Sequence, residues 1–482
     1  MADLRRRDLF RSGLAALGTA LGAPSRGHAA PAPAFPLRAA PDGRFLEDQD
    51  GRPFLIVGDS PQAIYARPTP AEVQTYLATR RAQGFTALLA DPGFTNNNDG
   101  RVRPAANGAL PFLRTLDGSR YEGVTGTADL ATPNPTYWDY VDTVLAEAEA
   151  QGFVVLQYVL AWGYRGRSFW QDLIAPGNSA IACFAFGSFL GQRFRARANI
   201  IWIDGSDSDG DYILRSPDGT SGIARALAIV RGMRAAGAMQ LRTGDWAADS
   251  LSTDQPAFAA QMTVNGIYAY GSRPDGFATY MQARRAWQYT PPLPAFLKET
   301  GYETERMIPG DPASVRKYQY WCLLSGATAG VVYGHGDIWP FTPGRWQAAL
   351  DSPGAHDMQR MAALMQSLAW AALVPSGLSG MRRLVVSRNG SWSPPVPDYV
   401  AAAATPDGTL LLAYIPSAGH GPQRLALDLG GMRAGALAEW WDPTSGRRVP
   451  TEGDLRAAPA QVATPGDNAG GDNDWVLIVT AA

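Results

Sequence analysis

The sequence predicts an α/β protein, a (β/α)8 TIM barrel followed by a small antiparallel β-sandwich. Two observations carry this prediction. Short apolar runs alternate with longer helical stretches eight times between about residues 54 and 371. Such alternation demands a parallel sheet, because each crossover helix returns the chain to the same end, and eight units close on themselves. From about residue 380 the texture changes to short strands separated by Gly, Pro, Asp and Asn, with no helical pattern between them.

Each element has its own signal. Residues 1–30 begin basic, run through an Ala/Gly/Leu stretch and end in small residues, which predicts an export leader of the twin-arginine type around Arg6 and Arg7. Cleavage is expected after Ala30 or Ala32, and the product is expected outside the cytoplasm. The barrel is expected over 35–375. A lead-in with a turn at Asp50–Gly51 precedes the first strand, FLIVGDS (54–60), which ends near Asp59. A helix capped by Thr69 and stopped by Gly84 leads to FTALLADPGF (85–94), with Asp91 at its end. The third strand, FVVLQYVLAWGY (153–164), delivers Trp162. The fourth is NIIWIDGSD (199–207), the fifth MQLRTGD (239–245) and the sixth VNGIYAYG (264–271). PAFLKETGYE (294–303) and GVVYGHG (330–336) complete the set. Six units in an open doubly wound sheet is the rival arrangement, but no glycine-rich phosphate loop follows the first strand. The sandwich, over 380–482, has a predicted turn at Asp442–Gly446.

Composition narrows the chemistry. The 482 residues are 46% hydrophobic and 18% charged with net charge −2, a packed globular balance without a basic patch for nucleic acid. No run of 18 apolar residues occurs, so no stable membrane insertion is expected. The two cysteines, Cys183 and Cys322, sit in apolar helical stretches and read as buried thiols; one disulfide after export is the alternative.

A barrel places its active site at the C-terminal ends of its strands. Those ends offer Asp59, Asp91, Trp162, Asp204, Asp207, Asp245, Tyr268, Tyr270, Glu299 and His335. Of four histidines only His335 reaches the mouth, too few for a hydrolytic zinc centre, and no G-x-S-x-G elbow precedes a helix. Asp207, Asp209 and Asp211 have the spacing of a calcium loop, but Tyr212 stands where that loop needs Gly. No metal or cofactor is therefore expected. Paired carboxylates remain, one protonating a leaving oxygen and the other attacking carbon or activating water.

At this point the chain resembles the apiosidase-like glycoside hydrolases, whose barrel is followed by a β-sandwich of a kind named for collagen binding. The resemblance is carried by DQDGRPFLIVGDS (48–60), NIIWIDGSD (199–207), FLKETGYE (296–303), YQYWCLLSGATAGVVYGHGDIWPF (318–341), LLLAYIPS (410–417) and AEWWDPTSGR (438–447). It implies an oligo- or polysaccharide substrate, Asp207 as general acid/base and Glu299 as nucleophile, with Tyr302 and Glu303 following. The chain departs from the family pattern at Ser206, in place of a second Gly, and at Gln62, in place of a Trp. It departs again at RTGDWAADS after the fifth strand, where a His-Pro-Ser stretch is usual.

The remaining mouth residues receive substrate-binding roles. Asp59 is expected on sugar hydroxyls, and Trp162 and Trp339 are expected to stack on sugar. His335 is expected on the nucleophile or a hydroxyl, and Tyr268 is expected to orient Glu299. Tyr270, Asp91, Asp204 and Asp245 complete the set. Strand alternation would send Lys298 outward if Glu299 faces the mouth. A catalytically inactive carbohydrate-binding protein is the alternative function.

Overall fold

Eight parallel strands form the barrel wall, in the places the alternation predicts. They are β1 (Ile56–Asp59), β2 (Ala87–Ala90), β3 (Val154–Tyr158), β4 (Ile200–Gly205), β5 (Arg242–Asp245), β6 (Asn265–Tyr268), β7 (Ala295–Glu299) and β8 (Gly330–Tyr333). This computed structural model describes residues 32–95, 101–162, 168–207, 222–270, 278–305, 310–388, 398–453 and 455–481. The predicted leader lies outside them, as do Asp209 and Asp211 of the calcium-like run.

The strands pair in the order β5-β4-β3-β2-β1-β8-β7-β6, with Ser250–Leu251 added antiparallel to β6. No regular ladder joins β5 to β6. The seam is instead closed by Thr263 N and Val264 N, which donate to Arg242 O at 2.9 and 3.1 Å, and by Gly266 N, which donates to Thr243 Oγ1 at 3.0 Å.

The connecting helices begin where capping chemistry starts them. In α1 (Pro70–Ala82), Thr69 and Glu72 form a reciprocal capping box and Pro70 takes the first turn, where its missing N–H costs nothing. Asn134 caps α2 (Pro135–Ala150) and Ser179 caps α3 (Ala180–Phe194). After α4 (Gly222–Ala235) and α5 (Ala278–Trp287), Asp311 caps α6 (Pro312–Ser325) and Ser352 caps α7 (Pro353–Gln366). Alternate strand residues then fill two layers. Ile56, Leu89, Leu156, Ile201, Ile203 and Phe296 pack inside the barrel, while Val57, Leu88, Val155, Trp202 and Leu297 pack under the helices.

The C-terminal part is a six-stranded and a three-stranded antiparallel sheet. Leu411, Ala413, Leu427, Trp440 and Leu477 lie in the core between them. Asp442 Oδ1 accepts from Thr444 N and Ser445 N, which makes the predicted turn between Leu437–Trp441 and Arg448–Pro450. The outer face of the six-stranded sheet packs on the barrel, so that Ala401, Leu412, Tyr414 and Ile478 join the core beneath the barrel helices. Tyr280 stacks on Tyr399 at 4.0 Å and Tyr320 on Tyr414 at 4.9 Å. Trp321 Nε1 donates to Tyr399 O at 2.6 Å.

One ion cluster pins this contact. Arg316 of α6 reaches Asp357 of α7 at 2.6 Å, and Asp474 and Asp472 of the sandwich at 2.7 and 2.9 Å. The alternative of a disulfide is corrected here: Cys183 and Cys322 are free thiols buried in α3 and α6. Among the described residues, no helix is long and apolar enough to cross a membrane.

Replacing Arg316 leaves the buried Asp474 without its counter-ion, while Asp357 keeps Arg360. Arg316→Met should therefore destabilise the protein by about 3–5 kcal/mol, the usual consequence of breaking a buried pair on one side. Denaturant unfolding measures this, and an unchanged midpoint would contradict the assignment.

Candidate active site

β4 brings the first carboxylate. Its side chains alternate, so Asp204 shares the outward face of Trp202. This corrects the expectation that Asp204 lies at the mouth: it is 2% exposed and paired with Arg242 at 2.7 Å in the helix layer. The chain then leaves the strand through three consecutive residues of positive φ, Gly205 (89°), Ser206 (139°) and Asp207 (49°). Any side chain at Gly205 would overlap the Asp245 carbonyl on the adjacent strand. This turn carries Asp207 back over the barrel, where Tyr268 OH donates to its Oδ1 at 2.9 Å. Burial, reinforced by the negative charges of Asp245 and Glu299, pushes the Asp207 carboxyl up to about 8.

β7 brings the second carboxylate and a surprise. Phe296 faces the inner core, so Lys298, two residues on, faces inward as well. The expectation that Lys298 points to the helices is thus corrected. Its Nζ lies 2.7 Å from Asp245 Oδ2, 2.7 Å from Glu299 Oε2 and 3.5 Å from Tyr158 OH, and 4.2 Å above the Tyr268 ring. Glu299 reaches the same space because the β6–β7 ladder slips: Ile267 pairs with Leu297 and Tyr268 with Glu299, leaving Lys298 as an extra residue.

Both oxygens of Glu299 are held. Lys298 Nζ takes Oε2 and Tyr302 OH donates to Oε1 at 2.7 Å. Burial raises the pKa of Glu299, with Lys298 as the largest opposing influence. Burial alone would lower the Lys298 ammonium, but Asp245 and Glu299 overcome it and the net shift is upward, so the charge stays. Tyr302 is seated by Ser60 Oγ at 2.7 Å and Gln62 Nε2 at 3.2 Å. Its ring lies flat over Gly334, where a Cβ would overlap it.

The other predicted site residues divide. Asp245 is in the site, buried between Lys298 and Tyr158, whose OH donates to it at 2.6 Å. Tyr268 is there too, but it bonds Asp207 rather than Glu299. Tyr270, half-buried, packs its ring 5.9 Å from Tyr268 and 6.3 Å from Tyr302. Trp339 is half-buried, with its indole N–H on Gln62 Oε1 at 2.9 Å.

The remaining four are buried. Asp59 takes its side-chain bonds from within the protein. It is fully buried on the outward face of β1, held by Arg80 at 2.5 Å and Tyr76 at 2.7 Å, and anchors α1. Trp162 is buried against Trp246 and Phe258, each 6.3 Å away, instead of presenting a stacking face. His335 does not hold Glu299; its Nδ1 accepts from Asp337 N at 3.0 Å and shapes the loop after β8. Asp91 is buried at the end of β2, and loss of hydration pushes its carboxyl far above the usual range. Among the described residues, no group of three or more His, Cys, Asp or Glu side chains is arranged to hold a metal.

The sequence model described as "Apiosidase-like, catalytic domain" matches residues 40–372. The chain belongs to the apiosidase-like family. This apiosidase-like protein is accordingly a glycoside hydrolase with a carbohydrate substrate. Its fold is similar to a solved structure described as a glycoside hydrolase, at 19% identity and TM-score 0.69 over 93% of this chain and 97% of the other. It is equally similar to a glycoside hydrolase family 5 protein from Bacteroides vulgatus ATCC 8482, at 20% identity and TM-score 0.70 over 92% and 93% of the two chains. No curated protein matches the chain.

Gly334 is the least conspicuous residue the geometry requires. Gly334→Ala should push the Tyr302 ring off Glu299 and lower kcat about tenfold or more, the order expected when an oriented catalytic group is misplaced. Steady-state kinetics beside a melting curve checks this. A variant that melts as wild type and turns over as wild type would contradict it.

Proposed function

We propose that this glycosidase works with retention of anomeric configuration, with Glu299 as nucleophile and Asp207 as acid and base. The observation that supports this reading is the distribution of charge among three neighbouring carboxyl groups and one ammonium. Lys298 sits against Glu299 and Asp245, while Asp207 has no cation of its own within bonding distance among the described residues and is pushed up to about 8. A neutral acid thus stands beside an anionic nucleophile, the pairing that two-step hydrolysis needs.

The steps balance as follows. A Glu299 oxygen attacks the anomeric carbon while the bond to the leaving oxygen breaks, and that oxygen takes the proton from Asp207. Glu299 is then a neutral ester, so Asp207 loses one of the negative neighbours that held its proton. Its pKa falls, which suits it to the second role. Asp207 takes a proton from water, the water oxygen attacks the anomeric carbon, and the ester to Glu299 breaks. Lys298 and Tyr302 receive the returning carboxylate.

The substrate we infer is a plant or microbial polysaccharide from which a pentofuranose-type sugar is released. Support comes from the family and from the half-buried aromatics Tyr270, beside Tyr302, and Trp339, beside Gln62. The basic N-terminal stretch with Arg6 and Arg7 supports export to where such polymers lie.

The test is hydrolysis of a panel of pentose-containing polysaccharides and aryl glycosides. Glu299→Gln should lose on the order of 1,000-fold or more in kcat on every substrate cleaved. Proton NMR of the first product should show the anomer of the substrate; the opposite anomer would overturn retention. The pH profile carries a separate expectation. The acid must be protonated in the free enzyme, so kcat/KM should fall as pH rises through about 8. Asp207→Asn should lack that limb, and a limb that survives would assign the acid elsewhere.

A further inference from the structure

We propose that Gln62 is a positioning residue that fixes the direction in which Tyr302 gives its proton. The argument begins with donors that cannot accept. The indole N–H of Trp339 is a donor only, so the amide atom facing it must be the oxygen. Gln62 Oε1 takes that bond at 2.9 Å. The amide nitrogen is thereby turned to the other side, 3.2 Å from Tyr302 OH and 3.5 Å from Ser60 Oγ.

An amide N–H cannot accept a phenol hydrogen. Tyr302 oxygen is therefore the acceptor from Gln62, and its own hydrogen goes to Glu299 Oε1 at 2.7 Å. Ser60, 2.7 Å from the same phenol, then donates as well. The result is a one-way chain, Trp339 to Gln62 to Tyr302 to Glu299, in which each bond polarises the next. It begins on the half-buried indole of Trp339 and ends on the nucleophile. Backbone bonds hold the middle of the chain in place: Asp91 N donates to Gln62 O, and Ala63 N donates to Trp339 O, each at 3.1 Å.

The isosteric substitution Gln62→Glu reverses the polarity. A carboxylate accepts from both Trp339 and Tyr302, so Tyr302 turns its hydrogen from Glu299 to the new acceptor. Glu299 loses a donor to its charged form and becomes harder to ionise. Gln62→Met fills the same space with no acceptor of comparable strength and leaves Ser60 to hold Tyr302.

The proposal rests on Glu299 being the nucleophile, so Glu299→Gln runs beside it, all on the aryl glycoside that the wild type hydrolyses fastest. Gln62→Glu should lower kcat about tenfold and move the acid limb of kcat/KM up by about one pH unit. Gln62→Met, which removes the donor to Tyr302 without adding an acceptor of comparable strength, should move the limb up by a smaller step, and a limb that does not move would overturn the positioning role. In a Tyr302→Phe background, the Gln62→Glu shift should largely disappear, because the hydroxyl that transmits it is gone. An undiminished shift in that background would mean through-space repulsion and would overturn the relay. So would a Gln62→Glu limb identical to wild type while Glu299→Gln is inactive. If Glu299→Gln remains active, the nucleophile reading fails, and a relay ending on that carboxylate fails with it.

Discussion

The ammonium of Lys298 is the charge on which this active site depends. It sits inside the barrel, equidistant at 2.7 Å from Asp245 and Glu299, with its face toward the Tyr268 ring. At about 4 Å and an effective dielectric near 20, two unit charges interact by roughly 4 kcal/mol, so the ammonium opposes the effect of burial at Glu299, whereas at Asp207 burial and then the charges of Asp245 and Glu299 prevail. One ammonium is shared by two carboxyl groups here, and the third, Asp207, is pushed up to about 8. Folding therefore takes up a proton at Asp207. The favourable contribution of that neutral form is full below the ordinary carboxylate pKa and is lost as pH rises through about 8. The site trades alkaline stability for an acid that is ready near neutrality.

Much of the remaining structure serves to hold that arrangement still. The left-handed run at Gly205–Asp207 is affordable only because Gly205 can lie against the Asp245 carbonyl, and it turns Asp207 inward where a continued strand would turn it away. The β6–β7 slip lets two adjacent residues, Lys298 and Glu299, face one space. Gly334 leaves room for Tyr302. Farther out, Asp59 and Arg80 fasten α1 to β1, and Arg316 fastens α6 and α7 to the sandwich. The sandwich thus braces the side of the barrel that carries β7 and β8, the strands leading into Tyr302 and into Gly334 beneath its ring.

How far this was legible follows from which signals are local. The barrel was readable because each strand is a short apolar run with a helix cap or a glycine stop beside it, and Thr69, Asn134, Ser179, Asp311 and Ser352 all cap as their residue types predict. Asp207 and Glu299 stood out through a resemblance in motif and order. Asp59, Asp204 and Trp162 misled for one reason: being at the end of a strand does not say which face a side chain takes. Phase could have been counted for Asp204 from Trp202, since both lie on the outward face. It could not have been counted for Lys298 and Glu299 together, because a ladder slip is a relation between two strands distant in sequence. Gln62 was visible only as a departure from the family, and its role depends on Trp339, 277 positions away.

The central claim is that the proton near neutrality resides on Asp207 and not on Glu299. Infrared difference spectra of the carboxyl stretch, recorded on the wild type between pH 5 and 9, test it most directly. The account predicts a protonated carboxyl that ionises near pH 8, is absent from Asp207→Asn, and ionises at lower pH in Glu299→Gln, where one negative neighbour is gone. A carboxyl that still ionises near pH 8 in Asp207→Asn would contradict it.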